Sequence, residues 1–464
     1  MGNVAKTGIL VQRSSGAGPD SAPLALLLAP PVYDFALYDL YLKPYALCRL
    51  GAWLQRAGYR VALVNALDYR DPRSLRALGS PRRRPCGTGK LLRQVVPTPA
   101  VLSRVPRRFA RYGIVPESLE ERLAALRPDL VLVSAGMTYW YPGVVESVRL
   151  VRRLHPGIPI LLGGIYPTLC PEHAQAVAEP DYVLPGDAQE RLPAVLRRLG
   201  LPVPAGEPAE ELALLPEANW QAGVVRLNRG CPMACSYCAS PAIHPRFIPG
   251  EPRRALESTL ALNRRFGTRH FAFYDDALLA GKEKGLEPYL EGILATGLEL
   301  SFYLPNGVHA RWIDDPAARL MRRAGFREVR LGYESACPEF HQTLDRKLQL
   351  RDLPAAVDCL AAAGFARRQV RAYVLAGLPE QPREQVEESI RSAAALGIRV
   401  EVAEFSPVPG SGLWETCLRS STLPLAEEPL THNNSVLPLE WEGLRRAELE
   451  RLKRLARELS PPAG

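Results

Sequence analysis

Three cysteines fall within eight residues in the run Leu227-Asn228-Arg229-Gly230-Cys231-Pro232-Met233-Ala234-Cys235-Ser236-Tyr237-Cys238. Separations of four and three let Cys231, Cys235 and Cys238 converge on one iron–sulfur cubane, and thiolates are the ligands that suit such clusters. Three ligands for four irons leave one iron open, which is what coordination of a second molecule requires. Gly230 and Pro232 fit a loop that bends around a cluster with backbone N–H groups turned to sulfur. The competing reading is zinc. Structural zinc usually takes four protein ligands, commonly as paired Cys-x-x-Cys units. Here the nearest further ligand type, His244, stands six residues beyond Cys238. The remaining cysteines (Cys48, Cys86, Cys170, Cys337, Cys359 and Cys417) are scattered and read as buried or inert thiols.

The elements that must carry this loop are legible as alternating apolar runs and amphipathic stretches. In the first half, strands are expected at Leu24–Leu28, Arg60–Val64, Asp129–Ser134, Pro159–Leu162 and Asp181–Leu184. Helices are expected at Tyr45–Arg56, Tyr141–Leu154 and Gln189–Leu199. Short continuous apolar strands between helices predict a parallel sheet covered on both faces, with ligands at the carboxyl ends of its strands. A second βα series runs through Val224–Leu227, His270–Tyr274, Glu299–Tyr303, Glu328–Leu331, Val370–Leu375 and Arg399–Phe405. Six such units predict a partial barrel that also does its chemistry at the carboxyl ends of its strands. The fold class is therefore α/β. Residues 1–22 read as a flexible tail, 23–200 as a Rossmann-like domain with a basic insertion at 72–116, and 201–220 as a linker. Residues 221–415 read as the partial (βα)6 barrel and 416–464 as a C-terminal helical extension, its last helix placed at Glu440–Leu459.

The Cys-x-x-x-Cys-x-aromatic-Cys pattern after the first strand of a βα barrel resembles the radical S-adenosylmethionine superfamily. The resemblance covers roughly residues 220 to 415. It implies a 4Fe-4S cluster on Cys231, Cys235 and Cys238 whose open iron takes the amino and carboxylate groups of S-adenosylmethionine. Cleavage of that cofactor then yields methionine and a 5′-deoxyadenosyl radical. The resemblance places Tyr237 near the adenine, and Asp275 and Asp276 after the second strand as polar contacts to the methionyl amino group. Gly332, Glu334 and Ser335 match a Gly-x-Glu-Ser element that meets the ribose, and Gly377 ends the fifth strand. A reductant such as flavodoxin or ferredoxin is the implied protein partner.

The order of an α/β domain before the barrel resembles the cobalamin-binding-domain subgroup of that superfamily. Ser134 follows one strand, and Gly163 and Gly164 follow the next in Leu162-Gly163-Gly164-Ile165-Tyr166-Pro167-Thr168. Adjacent glycines let backbone approach a flat or anionic ligand closely; the plainer reading is a tight strand-to-helix turn. None of the seven histidines has an Asp two residues before it, so the Asp-x-His-x-x-Gly sequence that supplies a lower axial histidine to cobalamin is missing. Cobalamin thus stands as a candidate cofactor bound without a histidine ligand, or as one that the domain has lost.

Charge and composition narrow the partners. The net charge is +9, and residues 72–113 hold eleven Arg or Lys with no Asp or Glu, more than the whole excess. That run could grip an anionic partner; the plainer reading is a solvated, partly irregular insertion. With Thr138-Tyr139-Trp140-Tyr141 it could also cap the space between the two domains, in which case Arg107, Arg108 and Arg111 would support turnover. No apolar run approaches the length of a membrane span, and no cationic-then-apolar leader precedes the first strand, so a cytoplasmic location is expected. The leading expectation is an enzyme acting on a small molecule, with methyl transfer to an unactivated carbon if cobalamin binds. Nucleic acid is not expected as a partner. A methylthiotransferase acting on RNA or protein is an alternative, against which stands the lack of a second, N-terminal cysteine cluster. A non-catalytic iron–sulfur protein for electron transfer or sensing is the alternative from another class.

Overall fold

The computed structural model describes residues 22–208, 211–215, 219–440 and 444–462. The expected tail, except Ala22, lies outside the described residues. The chain divides into two compact units. One runs to Ala222 and takes in Arg264–Phe266; the other comprises Gly223–Asn263 and Gly267 onward.

In the first unit, β1 (Leu24–Ala29), β2 (Arg60–Asn65), β3 (Leu130–Ala135), β4 (Ile160–Gly164) and β5 (Tyr182–Leu184) form one parallel sheet in the order β5-β4-β3-β1-β2. β1 has a neighbour on each side, so it must be apolar on both faces, and Leu24 to Leu28 are all buried. One face packs Leu26, Leu28, Val131, Val133 and Leu162 against Val144, Val148 and Val151 of α3 (Tyr141–Leu154). On the other, α1 (Tyr45–Arg56) lies so close to β1 that a Cβ on Gly51 would stand 2.6 Å from the Leu27 side chain. A helix, α4 (Ala188–Arg198), follows β5, with Asp187 as its N-cap accepting the amide of Gln189 at 3.2 Å.

Two parts of this unit differ from the sequence reading. The basic insertion is not merely a solvated loop: Ala110–Tyr112 pairs antiparallel with both Val32–Asp34 and Arg93–Val95. Arg111 within it is only 3% exposed and makes a two-pronged bridge to Glu146, with Nη2 to Oε1 at 2.7 Å and Nε to Oε2 at 2.9 Å. Arg83 donates to Asp39 at 2.6 Å and lies 3.9 Å from the Tyr69 ring centroid. The described residues of the expected linker are fastened to the helix α1 and the turn after it. Trp53 Nε1 donates to Ala205 O at 3.0 Å, Arg49 to Pro208 O at 3.0 Å, and the Tyr59 hydroxyl to Pro202 O at 2.7 Å.

The second unit is the partial barrel. β6 (Ala222–Val225), β7 (His270–Phe273) and β8 (Ser301–Tyr303) are neighbours in one sheet. β9 (Val308–His309), β10 (Val329–Glu334), β11 (Val370–Ala376) and β12 (Arg399–Glu404) form a second, all parallel. The third βα unit thus has a broken strand, interrupted at Pro305-Asn306-Gly307, and an isolated bridge joins Phe302 to Phe326, ahead of β10. Proline lacks the N–H that a continuous strand would use there. Phe271, Phe273, Phe302 and Phe326 fill the interior beside β7 and β8, with the Phe273 and Phe326 rings stacked at 5.5 Å. The C-terminal helix, α5 (Arg446–Leu459), begins later than expected. It buries Leu449, Leu452 and Ala456, packs on β12 and on the helix Arg383–Ala395, and so belongs to the barrel wall. Among the described residues no helix is long and apolar enough to cross a membrane.

Candidate functional site

The cysteine loop leaves β6 where Leu227 and Asn228 turn into Gly230. Gly230 has φ +76, and a Cβ there would lie 2.8 Å from Arg246 O, so the turn needs a glycine. Cys231 and Cys238 are half-buried and Cys235 is buried. Backbone amides already point at two of the sulfurs, Met233 N at Cys231 Sγ and Ser240 N at Cys238 Sγ, each at 3.4 Å. Such amides stabilise thiolate sulfur on a metal. Burial raises the Cys231 thiol above its usual range and pushes Cys235 up to about 12, while the Lys347 ammonium pulls both the other way. Metal ligation must therefore drive these protons off. Among the described residues no three ligating side chains crowd around a single point as one mononuclear ion would need. A cubane places each thiolate on a different iron, and the three cysteines, with amides at two of their sulfurs, suit that group.

The two aspartates after β7 divide. Asp275 is 3% exposed and its carboxylate accepts the amides of Leu227 (3.0 and 3.1 Å) and Asn228 (2.6 Å). It ties the root of the cysteine loop to β7. Burial outweighs those amides and pushes its carboxyl up to about 7. Asp276 is half-buried and makes no hydrogen bond among the described residues, and burial raises its pKa as well, opposed by Arg226.

At the end of β10, Glu334 has φ +69 at an irregularity in the strand pairing. Such backbone costs about 1–3 kcal/mol and persists where the surroundings impose it. Its Oε1 accepts from Lys347 Nζ at 2.7 Å. Gly332 leaves the room: a Cβ there would stand 3.2 Å from Glu334 Oε1 and 3.4 Å from Lys347 Nζ. Ser335 is buried, and its hydroxyl accepts the Cys337 amide at 3.1 Å, so it shapes the turn. Gly377 follows β11 and donates its amide to Gln381 Oε1 at 2.9 Å. Tyr237 lies 6.0 Å from the Phe340 ring, and its hydroxyl donates to Asp345 Oδ2 at 3.3 Å. Burial, then the nearby Glu334, holds that hydroxyl firmly protonated.

Four residues here escaped the sequence reading: His309, His341, Asp345 and Lys347. His309 ends β9 opposite Gly332, with its ring 4.6 Å from that of Trp312. Its Nδ1 is buried without a partner among the described residues, and burial followed by the Lys347 charge lowers its pKa to about 3, so the ring is neutral. The one signal available was the position of His309 at a strand end, while Lys347, thirteen residues beyond Glu334, carried none.

In the first unit, Ser134 stands opposite Gly163 across β3 and β4, at the carboxyl edge of the sheet. Gly164 has φ +103, and a Cβ on it would come within 2.3 Å of Ala135 O. A Cβ on Gly163 would meet nothing nearer than 3.8 Å, so its face is open. Thr168 Oγ1 donates to Gly164 O at 2.7 Å and accepts from Gly186 N at 2.8 Å, pinning the turns after β4 and β5 together. Gln189 Oε1, in the first turn of α4, is buried with no partner among the described residues. Buried acceptors are normally satisfied, and a ligand at this edge of the sheet would satisfy this one.

Two families match. Residues 225–393 match the radical SAM superfamily, and residues 108–196 match the B12 binding domain. A radical S-adenosylmethionine methyltransferase, TsrM, from Kitasatospora setae with tryptophan substrate and a cofactor analogue bound shares the fold at a TM-score of 0.65 and 16% identity. That match covers 95% of this chain and 90% of the other. An uncharacterized methyltransferase of Pyrococcus horikoshii is 25% identical over 333 residues, 64% of this chain and 71% of the relative. An anaerobic magnesium-protoporphyrin IX monomethyl ester cyclase of Synechocystis is 24% identical over 262 residues, 49% of this chain and about half, 52%, of the relative. The second unit is a radical S-adenosylmethionine domain. The chain is accordingly a radical S-adenosylmethionine superfamily enzyme that carries a B12-binding-type domain ahead of its barrel.

Proposed function

We propose that the chain binds a 4Fe-4S cluster through Cys231, Cys235 and Cys238, S-adenosylmethionine at the strand ends beside it, and a cobalamin at Ser134, Gly163 and Gly164. On this reading it methylates an unactivated carbon of a small-molecule substrate, with a flavodoxin or ferredoxin as reductant. The observation that carries the reading is the loop itself: three cysteines behind a glycine turn, with amides aimed at two sulfurs. When bound, the cluster supplies the electron for cofactor cleavage and the cobalamin supplies methyl-carrying chemistry. The chain's own residues then have separate tasks. Asp276 offers an open carboxylate to the methionyl ammonium, and Asp275 keeps the loop in place to receive it. Glu334, held by Lys347, offers its second oxygen to the ribose hydroxyls. Tyr237 covers the adenine side as an aromatic wall. Gly163 leaves the sheet edge open to a flat macrocycle.

The test is anaerobic reconstitution followed by dithionite and S-adenosylmethionine. Four irons per chain, lost in Cys231→Ala, Cys235→Ala and Cys238→Ala, with formation of 5′-deoxyadenosine or a methylated product, supports the proposal. Protein with an intact cluster that leaves the cofactor unchanged sinks it. A corrin absorption band that survives gel filtration tests the cobalamin separately.

A further inference from the structure

Behind the cysteine loop runs a segment, Leu344 to Lys347, that no motif marks. Ser236 N donates to Leu344 O at 2.7 Å, and Cys235 Sγ lies 3.8 Å from Asp345 O. The Asp345 carboxylate accepts the Tyr237 hydroxyl at 3.3 Å and, through Oδ1, both His341 Nδ1 and Lys347 N at 3.1 Å. His341 Nε2 faces Ser335 O at 2.8 Å. Lys347 reaches the other way, to Glu334 at 2.7 Å, with its Nζ 5.5 Å from the Tyr237 ring centroid. One short segment therefore holds the middle cysteine, the aromatic residue after it and the glutamate at the end of β10.

Asp345 is 2% exposed and Lys347 7%. Charges taken that far out of water persist only where partners and geometry compensate. Both have those partners, and burial notwithstanding, the carboxylate of Glu334 keeps Lys347 charged. We infer that Asp345 and Lys347 are positioning residues that lock the Cys235 loop to Glu334, so that a ligand engaging Glu334 changes the charge seen by the sulfur of Cys235. The inference rests on the proposed function above. Its physical basis is the dependence of cluster reduction on nearby net charge and on hydrogen bonds at the sulfurs. A ligand that hydrogen-bonds the second oxygen of Glu334 weakens that carboxylate's hold on Lys347 and lets the ammonium shift relative to Cys235.

The test compares wild type with Lys347→Met, Lys347→Arg and Asp345→Asn, each reconstituted anaerobically and checked for iron per chain. S-adenosylmethionine affinity is measured by equilibrium dialysis, and the reduction equilibrium by a redox titration followed by electron paramagnetic resonance, with and without the cofactor. In wild type the cofactor should move the equilibrium. Lys347→Met should keep its iron yet show a cofactor effect at least tenfold smaller, about 59 mV for one electron. Lys347→Arg should restore most of it, which a general loosening of structure would not. Undiminished effects in Lys347→Met overturn the inference, and should Asp345→Asn fail to hold iron, the Lys347 pair decides alone. A wild type that binds cluster and cofactor with no such effect overturns the inference and leaves the functional proposal standing. A wild type that takes up no cluster overturns both.

Discussion

The amide of Leu227 donates to both carboxylate oxygens of Asp275, at 3.0 and 3.1 Å. That contact separates the roles of two adjacent acids. Asp275→Ala leaves two buried amides unpaired at about 1–3 kcal/mol each, so melting temperature and iron content should fall together. Asp276→Ala removes no hydrogen bond among the described residues and should fold normally. If Asp276 meets the methionyl ammonium, its loss removes about 1.5–3 kcal/mol, a roughly tenfold to hundredfold weaker dissociation constant. Equilibrium dialysis and thermal melts on both variants distinguish the two roles, and a reversed pattern would assign them the other way round.

Asp275 also makes a statement about pH. Its carboxyl is pushed up from 3.8 to about 7, chiefly by burial. The folded chain therefore binds this proton more tightly than the unfolded chain. The resulting stability is fully present below pH 3.8 and is lost as pH rises through about 7. Asn cannot ionise and keeps an acceptor oxygen. Melting curves from about pH 6 to about pH 8 should show wild type losing stability relative to Asp275→Asn. A constant difference across that range would mean that the carboxyl is already ionised.

The basic insertion mixes two kinds of arginine. Arg111 lies in a strand and pairs with Glu146, whose side chain is 22% exposed. Breaking a buried pair costs about 3–5 kcal/mol, and the partial exposure of Glu146 favours the lower end. Arg111→Ala should therefore lower the denaturation midpoint markedly. Arg104→Ala and Arg108→Ala, both at exposed positions, should stay within about 0.5 kcal/mol of wild type. Urea melts of the three variants check this. Equal effects would mean that the run acts through its charge and not through the bridge.

That contrast shows what the sequence carried and what it did not. Parallel strands buried on both faces announce themselves as apolar runs, so the strands at Leu24, Arg60 and Val370 were legible to within a residue or two. The cysteine loop was legible because its ligands are local. Arg111 was not, because its pairing with Val32–Asp34 and Glu146 spans long separations, and an arginine in a basic run reads as surface. The same holds for Lys347 and Asp345: thirteen residues separate Lys347 from Glu334, and over a hundred separate Asp345 from Tyr237. Asp275 and Asp276 were indistinguishable as letters, since only backbone placement decides which of them meets the Leu227 amide.

Gly163 and Gly164 are likewise identical letters with different burdens. Gly164 combines φ +103 with a Cβ position 2.3 Å from Ala135 O, so Gly164→Ala must distort β3 or β4 and should destabilise by about 2 kcal/mol or more. Its requirement is structural and says nothing of a ligand. A Cβ on Gly163 meets its nearest neighbour, Leu184 O, at 3.8 Å, an ordinary contact, so Gly163→Ala should keep wild-type stability within about 0.5 kcal/mol. The added methyl would stand beside Ser134 at the edge where a macrocycle must approach. Retention of hydroxocobalamin through gel filtration, followed by its absorption band, should therefore drop severalfold in Gly163→Ala while the thermal melt stays unchanged. Full retention in that variant would remove Gly163 from the ligand face and leave Ser134 and the orphaned Gln189 oxygen to mark it.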